Sequence, residues 1–119
     1  MKYMLLIYND EKGLGTLSEA ERGQMFGEYG QFTKDITTSG HYKTGAPLQP
    51  TATATSVRVR DGKRVTTDGP FAETREQLGG YYLIEAADLN EAIGIAARIP
   101  GARAGTIEVR PVMEAGMPA

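Results

Sequence analysis

Two helix-start signals set the framework of this 119-residue chain, because each lies between strand-like runs. Ser18 is followed three residues later by Glu21, and Asp88 by Glu91, which is the capping-box spacing that opens a helix. Apolar residues recur at helical spacing after both signals. The first set comprises Met25, Tyr29, Phe32 and Ile36, and the second comprises Leu89, Ala92, Ile93, Ala96 and Ile99. The sequence therefore predicts two amphipathic helices.

Runs of strand length flank these helices. The predicted strands are residues 2–8, 55–60, 63–67, 81–86 and 106–112. The first is a continuous apolar run, which is typical of a central strand buried on both faces. Asp61-Gly62 between the second and third is the two-residue signal for a type I′ hairpin. Residues 41–54 contain one glycine and two prolines and predict a loop.

The order of these elements predicts an α+β fold. When the hairpin is counted as one long excursion, the plan is βαββαβ, the ferredoxin-like arrangement with an antiparallel sheet and both helices on one face. We expect one domain over residues 1–119, with 115–119 as a flexible tail. Apolar residues fall on both faces of the strand at 81–84, so we expect an open apolar sheet face and a sheet-to-sheet homodimer.

Composition narrows the function classes. The chain has no cysteine, which excludes disulfides, thiol catalysis and zinc–thiolate sites and fits a cytoplasmic location. A net charge of −2 argues against nucleic acid and anionic membrane surfaces as partners. No apolar run is long enough to span a bilayer. With one histidine and no Gly-rich phosphate loop, we expect neither a metal nor a cofactor.

The segment from Asp68 to Tyr82 is denser in special residues than a simple connection requires. Asp68-Gly69-Pro70 must leave the preceding strand, because glycine permits positive φ and proline fixes φ. We expect Phe71 to point inward and pin the loop, and residues 74–77 to form a short helical turn. Gly79-Gly80 then allows the backbone to pass close to another element before the strand resumes.

Several side chains could support chemistry, and each has a structural alternative. His41, the only histidine, is either a general acid/base or a histidine that favours a helix C-terminus. Asp68 is either an acid/base or an anchor of its own turn. Glu73 and Glu76 either contact a substrate or pair with Arg75 or solvent. Tyrosines 8, 29, 81 and 82 could line a pocket and offer hydroxyls, although aromatic residues are more often core.

The segment Asp68-Gly69-Pro70-Phe71-Ala72-Glu73-Thr74-Arg75-Glu76-Gln77-Leu78-Gly79-Gly80-Tyr81-Tyr82 resembles the signature of the DGPF-domain branch of the YCII-related proteins. Residues 1–8 and 107–112 look like the first and last strands of that family. The resemblance implies a ferredoxin-like domain that forms a dimeric α/β barrel, in small bacterial proteins of largely unassigned activity. It also implies an active-site His–Asp pair, with Asp68 at the position of the motif's aspartate and His41 as the candidate histidine.

Three functional hypotheses remain at this point. The first is a small-molecule enzyme with Asp68 and His41 as catalytic residues in a dimer-interface cleft. Its substrate-binding residues are Glu73, Arg75, Glu76 and Tyr82. The second is a non-catalytic ligand-binding or regulatory domain, since some members of the resembled family are associated with extracytoplasmic-function sigma factors. The third is a structural motif in which Phe71 fills a pocket and locks the dimer.

Overall fold

A computed structural model describes residues 1–114, and the predicted flexible tail at 115–119 lies outside these residues. The strands are β1 (Lys2–Asn9), β2 (Tyr42–Pro47), β3 (Thr55–Arg60), β4 (Lys63–Asp68), β5 (Gln77–Glu85) and β6 (Thr106–Pro111). The α-helices are α1 (Glu11–Gly15), α2 (Glu19–Thr38) and α3 (Leu89–Ala96), and short 3-10 helices span Thr51–Thr53 and Pro100–Arg103. The predicted α+β class is confirmed.

Four strands form the main sheet in the order β2-β5-β1-β6, and every neighbouring pair is antiparallel. The central position predicted for the first strand is confirmed, since β1 pairs with β5 on one side and β6 on the other. The strands β3 and β4 form a separate two-stranded hairpin. The sheet of a single chain is open, so one chain alone does not form a closed barrel.

The core lies on one face of the sheet. Tyr3, Leu5 and Ile7 alternate along β1 as buried residues, whereas the residues between them are half-exposed on the other face. The predicted burial of this strand on both faces is therefore wrong for a single chain, because both helices lie on one side of the sheet. The helices supply the other side of the core through Phe32, Ile36, Ala92, Ile95 and Ala96. Both long helices therefore cover the same face, as the sequence predicts. Each large aliphatic side chain that is fully buried there contributes about 1.5–3 kcal/mol.

The signals at Ser18 and Asp61-Gly62 form the helix start and the turn that they predict. At Asp88 the capping box is half formed, because Asp88 accepts from the Glu91 amide but the Glu91 carboxylate accepts from the amide of Ala87. The amide of Glu21 donates to Ser18 Oγ at 3.1 Å, and the amide of Ser18 donates to Glu21 Oε1 at 3.0 Å, which completes the capping box of α2. The hydrogen bond from the Ser18 amide to the Glu21 carboxylate lowers the pKa of Glu21, and the hydrogen bond with the Ser18 hydroxyl lowers it further. In the hairpin turn, Asp61 and Gly62 have φ of 52° and 72°, so the predicted type I′ geometry is present.

The prediction of a loop over residues 41–54 is wrong for its first half. That segment contains β2, so the second strand of the main sheet is β2 and not the hairpin. The sequence conceals this strand because Gly45 and Pro47 interrupt any apolar alternation. A sheet edge tolerates both residues, because an edge strand pairs on one side only. A Cβ at Gly45 would lie 2.8 Å from the carbonyl oxygen of Tyr81, which shows how closely β2 approaches β5.

The start of β5 and the buried face of α3 also differ from expectation. β5 begins at Gln77, so the predicted helical turn at 74–77 is wrong and Gly79-Gly80 lies inside the strand. The close approach expected of the diglycine is to β2, because a Cβ at Gly80 would lie 3.1 Å from the carbonyl oxygen of Ala46. In α3, the predicted apolar face includes Ile93, but Ile93 is 49% exposed and Ile95 is buried instead. The helix directs Ala92, Ile95 and Ala96 toward the core. The five-residue helix α1 lacks a long apolar period and was not predicted.

Replacing Gly45 with alanine tests the close approach of β2 to β5. We expect Gly45→Ala to lower the free energy of unfolding by about 1–3 kcal/mol, since the new methyl group meets backbone that must shift. Urea unfolding followed by circular dichroism measures the change. The matched control is Gly27→Ala on α2, where a Cβ meets nothing within 4 Å. This substitution should stabilise the helix by up to about 1 kcal/mol, because alanine has a higher helix propensity than glycine. Equal effects at the two sites would contradict the packing of β2.

Candidate functional site

A cleft of about 820 Å³ lies between the N-terminal half of α2 and the main sheet. Beneath this half of the helix, the sheet presents Gly45 of β2 and Gly80 of β5 beside Ile7 of β1, so much of the floor there is backbone. Farther along β5, Tyr82 covers the same face and packs edge-on against Phe32, with ring centroids 5.2 Å apart. The cleft therefore exists because glycines replace the side chains that would otherwise support the helix.

The walls of the cleft are largely apolar. On the helix side, Met25, Phe26 and Gly30 face it, and Leu14 and Leu48 line it from the two connecting segments. Phe26 is 83% exposed, because nothing in the described part of its own chain covers it. With Met25, Leu14 and Leu48 it forms a contiguous apolar surface, and such surfaces mark sites of ligand or protein contact. The cleft thus combines enclosure with uncovered apolar surface.

Three residues that carry hydroxyl groups, Tyr29, Thr33 and Tyr82, line the cleft. Thr33 Oγ1 donates to the carbonyl oxygen of Tyr29 at 2.9 Å and lies 2.7 Å from the Tyr82 hydroxyl. Because the threonine has one proton, Tyr82 is the donor in the second bond. The Tyr29 hydroxyl accepts from the amide of Gly101 at 3.1 Å. Tyr29 therefore keeps a proton to donate, and Tyr82 keeps a lone pair to accept.

Burial adjusts the chemistry of both tyrosines. Desolvation raises the pKa of Tyr29, and the hydrogen bond from Gly101 offsets part of that rise. Desolvation likewise raises the pKa of Tyr82, partly offset by its hydrogen bond with Thr33. Both phenols are therefore neutral well above physiological pH. They act as neutral hydrogen-bonding groups and not as phenolate bases.

The rim of the cleft is fastened by hydrogen bonds among the turn that follows β1, the start of β5 and the segment before the hairpin. The carboxylate of Glu11 accepts from the Thr51 amide at 2.8 Å and from the Thr51 hydroxyl at 2.5 Å. The amide of Glu11 donates to Gln77 Oε1 at 2.9 Å. The Gln77 side chain also donates to the carbonyl oxygen of Thr74. Both carboxylate oxygens of Glu11 are thus engaged in holding the rim.

His41 lies at the other end of the molecule, where α2 passes into β2. Its Nδ1 is 2.7 Å from Ser39 Oγ, and its Nε2 is 3.0 Å from Glu91 Oε1. Glu91 also accepts from the amide of Ala87 at 3.1 Å, at the start of α3. The histidine therefore bridges the end of α2 and the beginning of α3. It does not line the cleft.

The charged residues of the Asp68–Tyr82 segment are mostly at the surface. Asp68, Glu73 and Arg75 are exposed, and within residues 1–114 their side chains have no hydrogen-bond or ion-pair partner. Glu76 is half-buried and accepts from the hydroxyl of Thr106 at 2.9 Å. The expectation that Phe71 points inward is wrong for a single chain, because its side chain is 81% exposed. Of the residues predicted to bind substrate, Tyr82 lines the cleft.

The structure does not bring His41 and Asp68 together within one chain. The carbonyl oxygen of His41 accepts from the amide of Glu85, at the end of β5. Asp68 lies beyond the opposite end of this strand, beside the contact in which the Gly69 amide donates to the Ala54 carbonyl. A nine-residue strand spans roughly 26 Å, so no hydrogen bond can join the two side chains in the same chain.

The residues that form the cleft were largely missed by sequence reasoning. Met25 was predicted as core, and Phe26 stands beside the predicted apolar stripe of α2 without explanation. Two signals could have indicated the cleft: a large aromatic residue off the buried stripe, and the glycines at 79 and 80 in a strand. The tyrosine hydroxyls were recognised as possible pocket groups, and Tyr29, Tyr81 and Tyr82 do line the cleft.

The fold and cleft define a small α+β domain with a site of ligand size. Residues 1–115 match the family model for the YCII-related domain, so the chain belongs to the YCII-related family. The family resemblance seen in the sequence is thereby confirmed. An uncharacterised protein from Rhizobium meliloti (strain 1021) is 37% identical over 114 residues, which cover 94% of this chain and 92% of that protein.

None of the helices between residues 1 and 114 is both long enough and apolar enough to cross a membrane. The helix α2 has 20 residues, but charged and polar side chains are spread along it.

The raised tyrosine pKa values predict how stability depends on alkaline pH. The folded state favours the neutral phenol, and this preference adds to the free energy of unfolding. The contribution is fully present below the ordinary tyrosine pKa of about 10, and it is lost as the pH rises through the higher pKa of the tyrosine in the folded protein. Urea unfolding between about pH 8 and about pH 11 should therefore show a smaller loss of stability in Tyr82→Phe than in the wild type. Parallel pH curves for the two proteins would refute the assignment.

Proposed function

We propose that this protein binds a small organic molecule, apolar over most of its surface and carrying one hydrogen-bonding group, in the cleft under α2. The observation that carries the proposal is the cleft itself, whose volume of about 820 Å³ lies within the range of typical ligand sites. Apolar walls with a few grouped polar atoms are the usual composition of such sites.

The hydroxyl groups of the residues that line the cleft support a particular kind of polar group. Tyr29 has a proton to donate and Tyr82 a lone pair to accept, and both are neutral. A ligand hydroxyl or a carbonyl group matches this arrangement without an ion pair. A charged ligand group placed directly beside these neutral phenols would lose solvation energy that they do not return. Arg22 also lines the cleft, so an anionic group at the edge of the ligand could lie beside its guanidinium, as we expect of the sulfonate of the probe used below.

Ligand binding is favoured here over acid/base catalysis. The catalytic roles of Asp68 and His41, and substrate contacts by Glu73, Arg75 and Glu76, remain predictions. The carboxylate that lines the cleft, Glu11, is occupied by Thr51. A binding site without converging free acids and bases suits a ligand-sensing or regulatory domain, which is the role implied by the link of some relatives to extracytoplasmic-function sigma factors.

We also propose a homodimer in which the open sheet faces meet. Met4, Leu6 and Leu83 are half-exposed on that face, and Leu6 lies opposite Tyr81. Glu108 and Arg110 form an ion pair at 2.8 Å on the adjacent strand and give this apolar strip a polar border. An apolar centre with a polar rim is the usual anatomy of a protein interface. The strand order supports the finer assignment to a ferredoxin-like fold and a dimeric α/β barrel.

The motif from Asp68 to Tyr82 supports the placement of the chain in the DGPF branch of its family. Gly69 has a φ of 96°, a value that favours glycine at this position of the motif. A Cβ at Gly80 would lie 3.1 Å from the carbonyl oxygen of Ala46 in β2, closer than side chains usually approach. The backbone conformation at Gly69 and the close packing at Gly80 therefore explain why the motif has glycine at these two positions.

Binding in the cleft can be tested with the fluorescent probe 1-anilinonaphthalene-8-sulfonate. We expect enhanced probe fluorescence with the wild type and a severalfold weaker affinity with Gly30→Leu, because the added side chain enters the cleft. The matched control is Gly27→Leu, one turn away on α2 and outside the cleft. A Cβ meets nothing within 4 Å at either position, so neither variant should disturb the fold. Equal probe affinity in the two variants would overturn the proposed site.

The dimer can be tested by sedimentation. At micromolar concentration we expect the wild type to have twice the 12.8 kDa mass of the chain. Leu6→Lys should sediment as a monomer, because it places a charge in the centre of the apolar strip. The control Ile93→Lys changes an exposed apolar residue of α3 and should remain dimeric. A monomeric wild type, or a dimeric Leu6→Lys variant, would reject the sheet-face interface.

A further inference from the structure

The hairpin and the loop that follows it, residues 55–76 and here termed the arm, are uncovered on both faces. Val57, Val59 and Val65 are 59%, 63% and 46% exposed, and Phe71 is 81% exposed. Every residue of β4 is exposed. Two-stranded hairpins are marginally stable in water unless they pack on something. The arm therefore has the character of an element whose packing partner lies outside its own chain.

The overall dimensions agree with a projecting arm. The chain measures 48 × 46 × 19 Å, and its radius of gyration is 16.4 Å. A compact domain of this length has a radius of gyration of about 13.5 Å. The excess shows that a part of the chain lies away from the centre of mass.

Charge indicates what the arm packs against. The distal half of the hairpin, residues 58–64, is basic, with Arg58, Arg60, Lys63 and Arg64 against Asp61. The segment beside the cleft, residues 10–22, is acidic, with Asp10, Glu11, Glu19 and Glu21 against Lys12 and Arg22. Farther along α2, Glu28 is already paired with Arg103 at 2.7 Å, in a groove outside the cleft. The net charges of +3 and −2 are complementary, and such complementarity steers and orients association.

We propose that the arm of one copy lies along α1 and α2 of a second copy and places its Phe71 over the mouth of that copy's cleft, beside Phe26. Both aromatic rings are more than four-fifths exposed in the single chain, at 81% and 83%. Aromatic pairs of this kind stabilise beyond the area that they bury. A two-fold axis makes the exchange reciprocal, so each ligand site is completed by the partner chain.

A second copy explains more of the surface than closure by the chain's own Phe71. The loop of residues 69–76 runs into Gln77 on the cleft rim, so movement of that loop could bring Phe71 to its own cleft. Such closure would leave the hairpin valines and the basic hairpin tip exposed. By the strand register, Val65 lies on the same face of the hairpin as Arg58 and Lys63. Docking of that face on a second copy covers an apolar and a basic part of the hairpin together with the phenylalanine.

Cross-linking between two single-cysteine variants tests the exchange, since the natural chain has no cysteine. Phe71→Cys and Met25→Cys proteins are mixed, allowed to exchange subunits and treated with a short bis-maleimide. We expect a covalent dimer in the mixture and little in either variant alone. The control mixture pairs Phe71→Cys with Ala20→Cys, an exposed position of α2 outside the cleft. Equal cross-linking in the two mixtures, or none in the first, would overturn the proposal.

A chain carrying both Phe71→Cys and Met25→Cys separates exchange from closure within one chain. A fast-migrating monomer in a denaturing gel would show that the loop closes on its own cleft and would refute the exchange. A covalent dimer supports it. Phe71→Ala provides an independent reading: it should weaken binding of 1-anilinonaphthalene-8-sulfonate severalfold, whereas Leu89→Ala, at an exposed apolar residue of α3, should leave it unchanged.

The proposal rests on the cleft and on dimer formation, and the outcomes distinguish their failures. A monomeric wild type refutes the exchange and the sheet-face dimer but leaves probe binding in the cleft intact. A dimer with no specific cross-link refutes the exchange alone. Probe binding that is insensitive to Gly30→Leu refutes the cleft as a ligand site, while a specific cross-link would still establish the position of the arm.

Discussion

β1 runs through the middle of an antiparallel sheet, and the alternation of its side chains divides the molecule into a packed face and an open face. Tyr3, Leu5 and Ile7 point toward the two long helices and are buried. Met4 and Leu6 point the other way and stay half-exposed. A strand cannot bury both sets when both helices lie on one side. The chain therefore carries more apolar surface than its own helices can cover, and the open sheet face follows from that shortage.

The position of the cleft follows from where the packed face runs out of side chains. Near the middle of the sheet, Leu5, Tyr82 and Ile84 fill the space under the C-terminal half of α2. Toward the other end, β5 and β2 present glycine, and the register of β1 against β5 shifts between Ile7 and Tyr8. The N-terminal half of α2 thus passes over a floor made largely of backbone. Its capping box and its connection to the packed half hold it in place.

Features that depend on neighbouring residues were predictable from the sequence. The α2 capping box at Ser18, the hairpin turn at Asp61-Gly62 and the central strand β1 each rest on local patterns. Features that depend on partners far along the chain were not. The strand β2 exists because β5 offers it an edge, and Phe71 is exposed because nothing in its own chain receives it. The hydrophobicity of Phe71 indicates that it should be covered but cannot specify which chain covers it.

The candidate site shows the same division between local and distant information. Tyr82 was identifiable as a residue that could offer a hydroxyl, but its donor role depends on Thr33, 49 positions away in the sequence. The cleft and the arm are surfaces of opposite charge and similar apolar character, and each lacks a cover. If one covers the other across a dimer, ligand binding and arm docking stabilise each other by the same factor, since coupling between two binding events is reciprocal. A ligand that fills the cleft then strengthens the dimer, so ligand binding changes the fraction of chains that are dimeric.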